Sequence, residues 1–520
     1  MKNIVILFAG NTKNYAVSPL FNGQSACEAA LKWACSVPNT DSVVLLTSDS
    51  TQEQISKYIL PVEKLSFKHI NKQIWTTSVL LQTLAEASKG YDAVVYGFAD
   101  APFYDSDITE QLLKNHTEYH AEYSFADGYP EGMAPEVVYP GTLQMMYELA
   151  KDNEEEVQRD TLFSVLKTDI NAYEIETLIA PVDLRYLRLA LFCDTKRNTL
   201  QCERIFKFMS ENKVKDICSF VAKQSNILRT LPAYYSIQVV SSCAGSCSYC
   251  PYPQEYKKKT GKCVYESHEY MDTGKFKQLV KKISEFSEDA VICLSLWGEA
   301  ENHPDFVDLV KTVLDYEDLS VLVETTGQNL SQPLVNRIAE LAASCKKRKN
   351  GQKPVNWIVS LDAIDEAMYG KLHSGKLSVA VSSLETLLPL FPGAVYPQFV
   401  RLQDNEAQLE SFYRFWKEKA GSVIIQKYDD FCGKLPQRKV ADLAPVCRNP
   451  CWHLRRDLSV LVDGSVPFCR EAVLDGIIGN AFDDSLESIW EKNEALFAEQ
   501  VDNVYGGICE NCDEYYTFNF

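Results

Sequence analysis

Three closely spaced cysteines after a predicted strand constrain this chain more than any other feature. Cys243, Cys247 and Cys250 stand at positions i, i+4 and i+7, with Gly and Ser among the residues between them. The apolar, β-branched run 237–240 predicts a strand, which places the thiols in a loop at its carboxyl end. Thiolates are soft ligands that select zinc or iron–sulfur clusters. The triplet therefore predicts a metal site, and three ligands on a four-iron cluster would leave one iron open to a small molecule.

Length, charge and cysteine usage narrow the class of protein. The 520 residues exceed one ordinary domain, so three or four domains are expected. A net charge of −19 argues against a nucleic-acid or anionic-membrane partner. The chain has seventeen cysteines, no stretch of membrane-spanning length and no secretory leader pattern. These features predict a cytoplasmic protein without a membrane partner, whose cysteines are metal ligands or core residues.

Polar motifs follow several predicted strands downstream of the triplet. Strands are predicted near 291–296, 320–323, 357–361 and 398–402, and helical patterns separate them. Strand-then-motif units of this kind indicate a partial (β/α) barrel, with its chemistry at the carboxyl ends of the strands. In chain order the motifs are Trp297-Gly298-Glu299, Glu324-Thr325-Thr326-Gly327, Ser360-Leu361-Asp362 and Arg401.

The triplet alone also fits a zinc knuckle or a reduced structural trio, but its context resembles the radical S-adenosylmethionine (SAM) superfamily. That superfamily has the spacing C-x3-C-x-φ-C, and Tyr249 fills the aromatic place. The resemblance implies a [4Fe-4S] cluster on Cys243, Cys247 and Cys250 whose open iron chelates SAM. It implies further that one-electron reduction cleaves SAM to a 5′-deoxyadenosyl radical, which abstracts hydrogen from a substrate.

The same resemblance assigns the strand-end motifs to SAM. Trp297 replaces the first Gly of the family's Gly-Gly-Glu, whose backbone holds the amino group of SAM. A Ser-x-Asp contacts the SAM ribose in the family, and an Arg can meet its carboxylate. A surface salt bridge is the alternative reading of the Arg. The implied cofactor-binding residues are Tyr249, Gly298, Glu299, Ser360, Asp362 and Arg401.

Residues 432–520 hold a second cysteine pattern. Twelve residues separate Cys451 from Gly464, and the segment 464–469 reads G-x4-C. Residues 458–463 read as a strand that turns at Asp463-Gly464, which predicts a hairpin. The pattern resembles the SPASM/Twitch extension of radical SAM enzymes, and the Twitch type implies one auxiliary [4Fe-4S] cluster. Its implied ligands are Cys451, Cys469, Cys509 and Cys512, with Cys447 as a weaker candidate because its spacing to Gly464 is sixteen residues.

The first third alternates predicted strands and helices, which indicates a doubly wound parallel sheet. Gly10 and Asp100 fall at strand ends, where ligands bind in such sheets. The order resembles nucleotidyltransferases of the glycosyltransferase-A type, in which an Asp before a Pro holds the metal. The loop Gly10-Asn11-Thr12-Lys13 lacks the second Gly and the Arg of that family, and Leu20 replaces its Lys. Triphosphate binding is therefore expected to be weak, while Asp100 remains a candidate ligand for Mg²⁺.

The whole chain resembles the spiro-SPASM proteins, and this predicts an α/β protein in four parts. These are a nucleotidyltransferase-like domain (1–150), a closing segment (151–231), a partial (β/α)6 radical SAM barrel (232–431) and a cysteine-rich SPASM/Twitch-like domain (432–520). The resemblance implies a peptide or small-molecule substrate and a flavodoxin- or ferredoxin-type electron donor. Two alternatives stay open: a nucleotidyltransferase with a regulatory iron–sulfur half, and a non-catalytic, metal-stabilised binding protein.

Overall fold

The chain forms two compact units, Met1–Leu228 and Arg229–Phe520. The structure, a computed structural model, describes residues 2–55, 66–212, 216–243, 247–349, 351–442 and 444–517. Ala244, Gly245 and Ser246 of the cysteine loop lie outside the described residues. The finer division into four parts stays a prediction.

The first unit is built on one mixed sheet covered on both faces. Its strands follow the order β3-β2-β1-β4-β6-β5-β7, and β6 runs antiparallel to both neighbours. Its strands are β1 Asn3–Ala9, β2 Thr40–Ser48, β3 Ser66–Lys72, β4 Ala93–Phe98, β5 Tyr123–Asp127, β6 Glu136–Val138 and β7 Ile175–Ile179. Its helices are α1 Asn14–Val17, α2 Ala26–Ser36, α3 Asp49–Ile55, α4 Thr77–Ala87, α5 Ser106–Glu118, α6 Pro140–Leu149, α7 Thr161–Leu166, α8 Lys196–Asn212 and α9 Ile217–Lys223.

Strand β1 shows why this sheet is buried on both sides. All seven of its residues are buried, and alternate side chains enter different apolar cores: Val5 and Leu7 one, Ile4 and Ile6 the other. A continuous apolar run is what a strand covered on both faces requires. The predicted doubly wound α/β architecture is confirmed.

The second unit contains a parallel sheet that curls into a partial barrel. Its strand order is β13-β12-β11-β10-β9-β8-β14, with parallel pairing throughout. The predicted partial (β/α)6 barrel is confirmed. Its strands are β8 Tyr234–Ile237, β9 Ala290–Cys293, β10 Leu319–Thr325, β11 Val355–Ser360, β12 Val395–Arg401, β13 Ile424–Lys427 and β14 Asp457–Val460, and a separate pair is β15 Ser465–Pro467 and β16 Ile477–Asn480. Its helices are α10 Tyr252–Thr260, α11 Thr273–Ser287, α12 Phe306–Leu314, α13 Gln332–Ser344, α14 Glu366–Leu372, α15 Leu377–Leu390, α16 Leu409–Ala420, α17 Trp452–Arg456, α18 Leu486–Glu491 and α19 Glu494–Val501.

Alternate side chains of the barrel strands point to different cores. On β10, Val321 and Val323 pack with the covering helices. Leu322 belongs instead to a small apolar cluster with Tyr234 and Cys293, from β8 and β9. Glu324 follows two residues after Leu322 and therefore lies on the same face. The inner face thus changes from apolar to polar toward the carboxyl ends of the strands.

Strand β14 differs from the sequence-based expectation. Residues 458–463 were expected to form a hairpin turning at Gly464. A turn does form there, in which Leu461 N–H donates to Ser465 O at 2.8 Å. The strand itself, however, pairs in parallel with β8 at the edge of the barrel sheet. The turn leads into β15, whose antiparallel partner is β16. A local hairpin pattern cannot reveal a strand partner more than 200 residues earlier, so this pairing was missed.

Candidate metal and cofactor site

The cysteine triplet lies between β8 and α10, at the carboxyl end of the barrel. Cys243 and Cys250 are partly buried and contact an apolar cluster that contains Tyr252 and Trp297. Burial raises the pKa of the Cys250 thiol to about 11. Burial, followed by the nearby thiols of Cys250 and Cys243, raises the pKa of Cys247 well above its usual range. The structure therefore brings the three predicted thiols together.

Gly298 lies against the backbone that leads into the triplet. Its φ is +93°, and a Cβ added to it would lie 2.3 Å from Val240 O and 2.9 Å from Ser242 O. Only glycine meets both demands without displacing that backbone. The carboxylate of the next residue, Glu299, accepts hydrogen bonds from the hydroxyls of Thr325 at 2.9 Å and Thr326 at 3.0 Å. The Gly-Glu turn is thus fixed beside the cysteine loop.

Trp297, which replaces a family glycine, packs in the apolar cluster that Cys243 and Cys250 contact. Its ring stacks on Tyr252 of α10, with centroids 5.6 Å apart and planes 9° from parallel. It also contacts Phe431 at 5.8 Å. The large side chain therefore contributes to the apolar cluster beneath the cysteines.

A second acidic side chain beside Glu299 was missed. Glu301 is 8% exposed and shares the Thr325 hydroxyl with Glu299, at 2.6 Å. Burial, and then the charge of Glu299, raises the pKa of Glu301 well above its usual range. Two buried carboxylates so close to one another disfavour carrying a negative charge at the same time. In the sequence, the only indication of this pairing is that Glu301 lies two residues after Glu299.

Asp362 connects Tyr249 to the barrel. Its carboxylate accepts from the Tyr249 hydroxyl at 2.6 Å and from Val400 N–H at 2.5 Å, and it is fully buried. Its backbone has φ +57°, which is uncommon for a residue with a side chain. Ser360, two residues earlier, is half-buried, and its hydroxyl accepts from Gln398 Nε2 at 3.4 Å. Asp362 therefore positions the aromatic residue of the cysteine motif.

His373 was not anticipated, although it touches the triplet. Its Nδ1 lies 3.3 Å from Sγ of Cys247, and its Nε2 lies 2.6 Å from the Asp362 carboxylate. It follows directly after α14. Nothing in the local spacing of the sequence indicates this contact, which joins residues 126 positions apart.

Arg401 at the end of β12 forms an ion pair with Glu406. Its guanidinium donates to both carboxylate oxygens, at 2.7 and 2.6 Å, and its side chain is 28% exposed. This ion pair is the surface salt bridge that the sequence analysis gave as the alternative role of Arg401. Its contact with SAM stays a prediction.

The C-terminal cysteines also gather at one place. The Cys512 thiol is an electrostatic neighbour of the Cys451, Cys469 and Cys509 thiols. Burial raises the pKa of the Cys451 and Cys469 thiols well above the usual range. Cys447, the weaker candidate, is exposed. The four predicted ligands are thus assembled.

A fifth cysteine, Cys432, joins this group and was missed. A hydrogen bond between the Cys432 and Cys512 thiols lowers the pKa of Cys512. Cys432 lies after β13, outside the G-x4-C pattern, so spacing did not single it out. Five thiols therefore gather here, one more than the four that a four-iron cluster binds.

In the first unit, Asp100 is already paired with a cation. Both of its carboxylate oxygens accept from Arg159, at 2.8 and 2.6 Å, and Asp100 is 3% exposed. Arg159 also donates to Asp194 at 3.1 Å and lies against the rings of Phe98 and Phe192, at 4.4 and 3.9 Å. The guanidinium therefore neutralises the carboxylate that was the candidate Mg²⁺ ligand.

The space beside Gly10 is filled as well. A Cβ on Gly10 would lie 2.4 Å from Cδ1 of Trp75. Trp75 is 5% exposed, and its indole N–H donates to Thr47 O at 2.8 Å. The Trp75 ring thus covers Gly10. A ligand could approach the backbone of this loop closely only if Gly10 were exposed.

Comparisons with known proteins agree with this layout at the C-terminus. Residues 451–513 match the SPASM family, an iron-sulfur cluster-binding domain, which confirms the predicted SPASM resemblance. A protein of Treponema pallidum (strain Nichols), described as an uncharacterized protein, is 38% identical over 369 residues, covering 69% of this chain and 98% of that protein.

Two solved structures are similar at TM-scores below 0.5. Streptococcus suis SuiB bound to precursor peptide SuiA has a TM-score of 0.42 and 13% identity, covering 69% of this chain and 85% of SuiB. A cytidylyltransferase from Leptospira borgpetersenii has a TM-score of 0.35 and 15% identity, covering 44% of this chain and 95% of that one. Among the described residues no helix has the length and apolarity to cross a membrane.

Proposed function

We propose that this chain, which belongs to the same family as the uncharacterized Treponema pallidum protein, is a radical SAM enzyme with an auxiliary iron–sulfur cluster. The observation that carries the proposal is the convergence of Cys243, Cys247 and Cys250 with Gly298 at one end of a parallel barrel. The SPASM match at 451–513 supports the auxiliary cluster. The substrate class that accompanies this architecture is a peptide or a small molecule.

The residues present fit a [4Fe-4S] cluster and SAM. Three thiols supply the ligands, and the soft sulfur of a thiolate is the ligand type that iron–sulfur clusters take. Gly298 lets the turn pack directly against the backbone that leads into the triplet. Bound there, such a cluster would supply the one-electron reduction of SAM with which radical SAM chemistry begins.

The chain's own residues position and shield the reacting groups. Tyr249 is held by Asp362, so the aromatic ring of the cysteine motif has a fixed orientation. The apolar cluster around Tyr252 and Trp297 covers one side of the loop and keeps bulk water from it. Thr325 and Thr326 anchor the Glu299 side chain and fix the turn at which SAM's amino group is expected.

A small acidic protein is the proposed electron donor. Lys257 and Lys258 are exposed on α10, the helix that begins two residues after Cys250. In a chain of net charge −19, a local group of lysines beside the cluster would attract an acidic flavodoxin or ferredoxin.

The direct test is SAM cleavage by the full chain. Protein purified without oxygen and reconstituted with iron and sulfide should contain roughly eight irons, as two four-iron clusters require. With dithionite and SAM it should form 5′-deoxyadenosine slowly, even without substrate. Colourless protein that binds zinc, or an iron-loaded protein that leaves SAM intact, would reject the proposal.

Nucleotidyl transfer by the first unit is the second candidate, and the structure weighs against it. Arg159 already neutralises Asp100, so we expect neither Mg²⁺ nor CTP or GTP to bind at micromolar concentration. Calorimetry on the full chain checks this. An Arg159→Gln variant, which frees Asp100 and Asp194, is the matched comparison and should gain affinity for Mn²⁺. Micromolar triphosphate binding by the wild-type chain, about −8 kcal/mol, would contradict the expectation.

A further inference from the structure

The contact between His373 and Cys247 is not needed for the proposed binding of the cluster or of SAM. Nδ1 of His373 lies 3.3 Å from Sγ of Cys247. Both the histidine and the carboxylate on its other side, Asp362, have fully buried side chains. A buried imidazole that faces a proposed cluster ligand at this distance is placed to form a hydrogen bond with its sulfur.

The orientation of the ring is fixed on every side. Nε2 lies 2.6 Å from the Asp362 carboxylate and 3.2 Å from the Tyr249 hydroxyl. The ring of Tyr369 stacks on the imidazole, with centroids 4.6 Å apart and planes 20° from parallel. Tyr249 meets it edge-on at 5.5 Å. The imidazole cannot turn away from Cys247 without breaking these contacts.

A cysteine sulfur bound to iron carries no proton, so it can only accept a hydrogen bond. The nitrogen that faces it must then be the donor, so a second proton lies between Nε2 and the Asp362 carboxylate, which are 2.6 Å apart. Hydrogen bonds to the sulfurs are one of the factors that set the reduction potential of an iron–sulfur cluster. An N–H directed at the sulfur offsets part of the negative charge that the cluster gains on reduction, and therefore favours the reduced form.

We infer that His373 is a positioning residue of the SAM-binding cluster, which raises its reduction potential by donating an Nδ1–H hydrogen bond to the Cys247 sulfur. The inference rests on the proposed radical SAM function. In this arrangement Asp362 and Tyr249 hold the imidazole, and the imidazole acts on the cluster through Cys247. The low potential needed for SAM cleavage would thus be adjusted from within the barrel.

Three substitutions of one residue separate the hydrogen bond from packing. His373→Phe keeps the stacked ring and removes both nitrogens. His373→Asn keeps an N–H near the place of Nδ1, while His373→Gln keeps one near the place of Nε2. His303→Gln is the control, because His303 is a buried histidine of the same unit that bonds Met271 O at 2.9 Å and lies outside the cysteine group.

The measurement is a redox titration of the full chain followed by electron paramagnetic resonance. The SAM-binding cluster is identified as the four-iron signal that changes when SAM is added, because only an open iron can respond. We expect the midpoint potential to become more negative in the Phe and Gln variants. It should stay near the wild-type value in the Asn variant and in the His303→Gln control.

Each other result overturns the inference. Equal shifts in all three variants would show that His373 acts by packing alone, and unchanged potentials would show that it does not tune the cluster. Loss of iron in all three, with iron kept in the control, would assign His373 to cluster assembly. Absence of a SAM-responsive signal in the wild-type chain would instead reject the proposed function itself.

Discussion

Replacing Cys243, Cys247 and Cys250 together by alanine is expected to abolish formation of 5′-deoxyadenosine completely. The physical reason is that these thiols are the only ligands proposed for the cluster that binds SAM, and without them no iron is held beside Gly298. The measurement is chromatography of the product after incubation of reconstituted protein with SAM and dithionite. Because the C-terminal cysteines are unchanged, the variant should retain about half of the iron, roughly four atoms per chain.

Two single variants serve as comparisons for that result. Cys247→Ala alone should be as inactive as the triple variant, because a cluster held by only two of its three proposed thiols has lost a ligand. Cys345→Ala is the matched control, since Cys345 belongs to the same unit and its thiol lies 3.1 Å from Ala342 O at the end of α13. Product formed by the triple variant at the wild-type rate would show that the chain is not a radical SAM enzyme.

Strand-end motifs could be predicted because they depend on local patterns. A buried apolar run followed by glycine and polar residues marks the carboxyl end of a strand, and parallel pairing brings such ends to one edge. Gly298 follows β9 and Ser360 ends β11 for this reason. The contact of Gly298 with the backbone of Val240 and Ser242 follows from the sheet, not from their distance along the chain.

The contacts that escaped prediction join residues far apart in sequence. His373 reaches Cys247 across 126 positions, and Arg159 reaches Asp100 across 59. Each is a single polar side chain with no periodic pattern around it, so nothing local distinguishes it from an exposed residue. Cys432 shows the same limit, because it contacts Cys512, which lies 80 positions later in the sequence.

These missed contacts change how two predicted residues are understood. Asp362 was expected to contact SAM, yet its carboxylate is occupied by Tyr249, His373 and Val400 N–H. Asp100 was a candidate metal ligand, yet Arg159 neutralises it. A carboxylate identified from a motif can therefore be committed to an internal partner that the motif does not reveal.

The auxiliary cluster is expected to depend on Cys451, Cys469, Cys509 and Cys512. In the variant that lacks the first three cysteines, adding Cys451→Ala should lower the iron content well below four atoms per chain or make the cluster labile. Cys451 is 8% exposed, and its thiol neighbours those of Cys512 and Cys509. A vacant ligand position there would not be refilled by water without exposing the cluster. Metal analysis by mass spectrometry, with sulfide determination, gives the count.

Cys447 and Cys432 provide two controls for this assignment. Cys447 is exposed, so Cys447→Ala in the same background should leave the four irons intact. Cys432→Ala should also keep them, because four thiolates close the cluster without a fifth, even though Cys432 contacts Cys512. Loss of iron on changing Cys432 would make it a ligand in place of one of the four, and loss on changing only Cys447 would reject the spacing argument. Zinc in place of iron would show a closed structural site in which four thiolates bind a single ion. Such a site has no capacity to relay an electron.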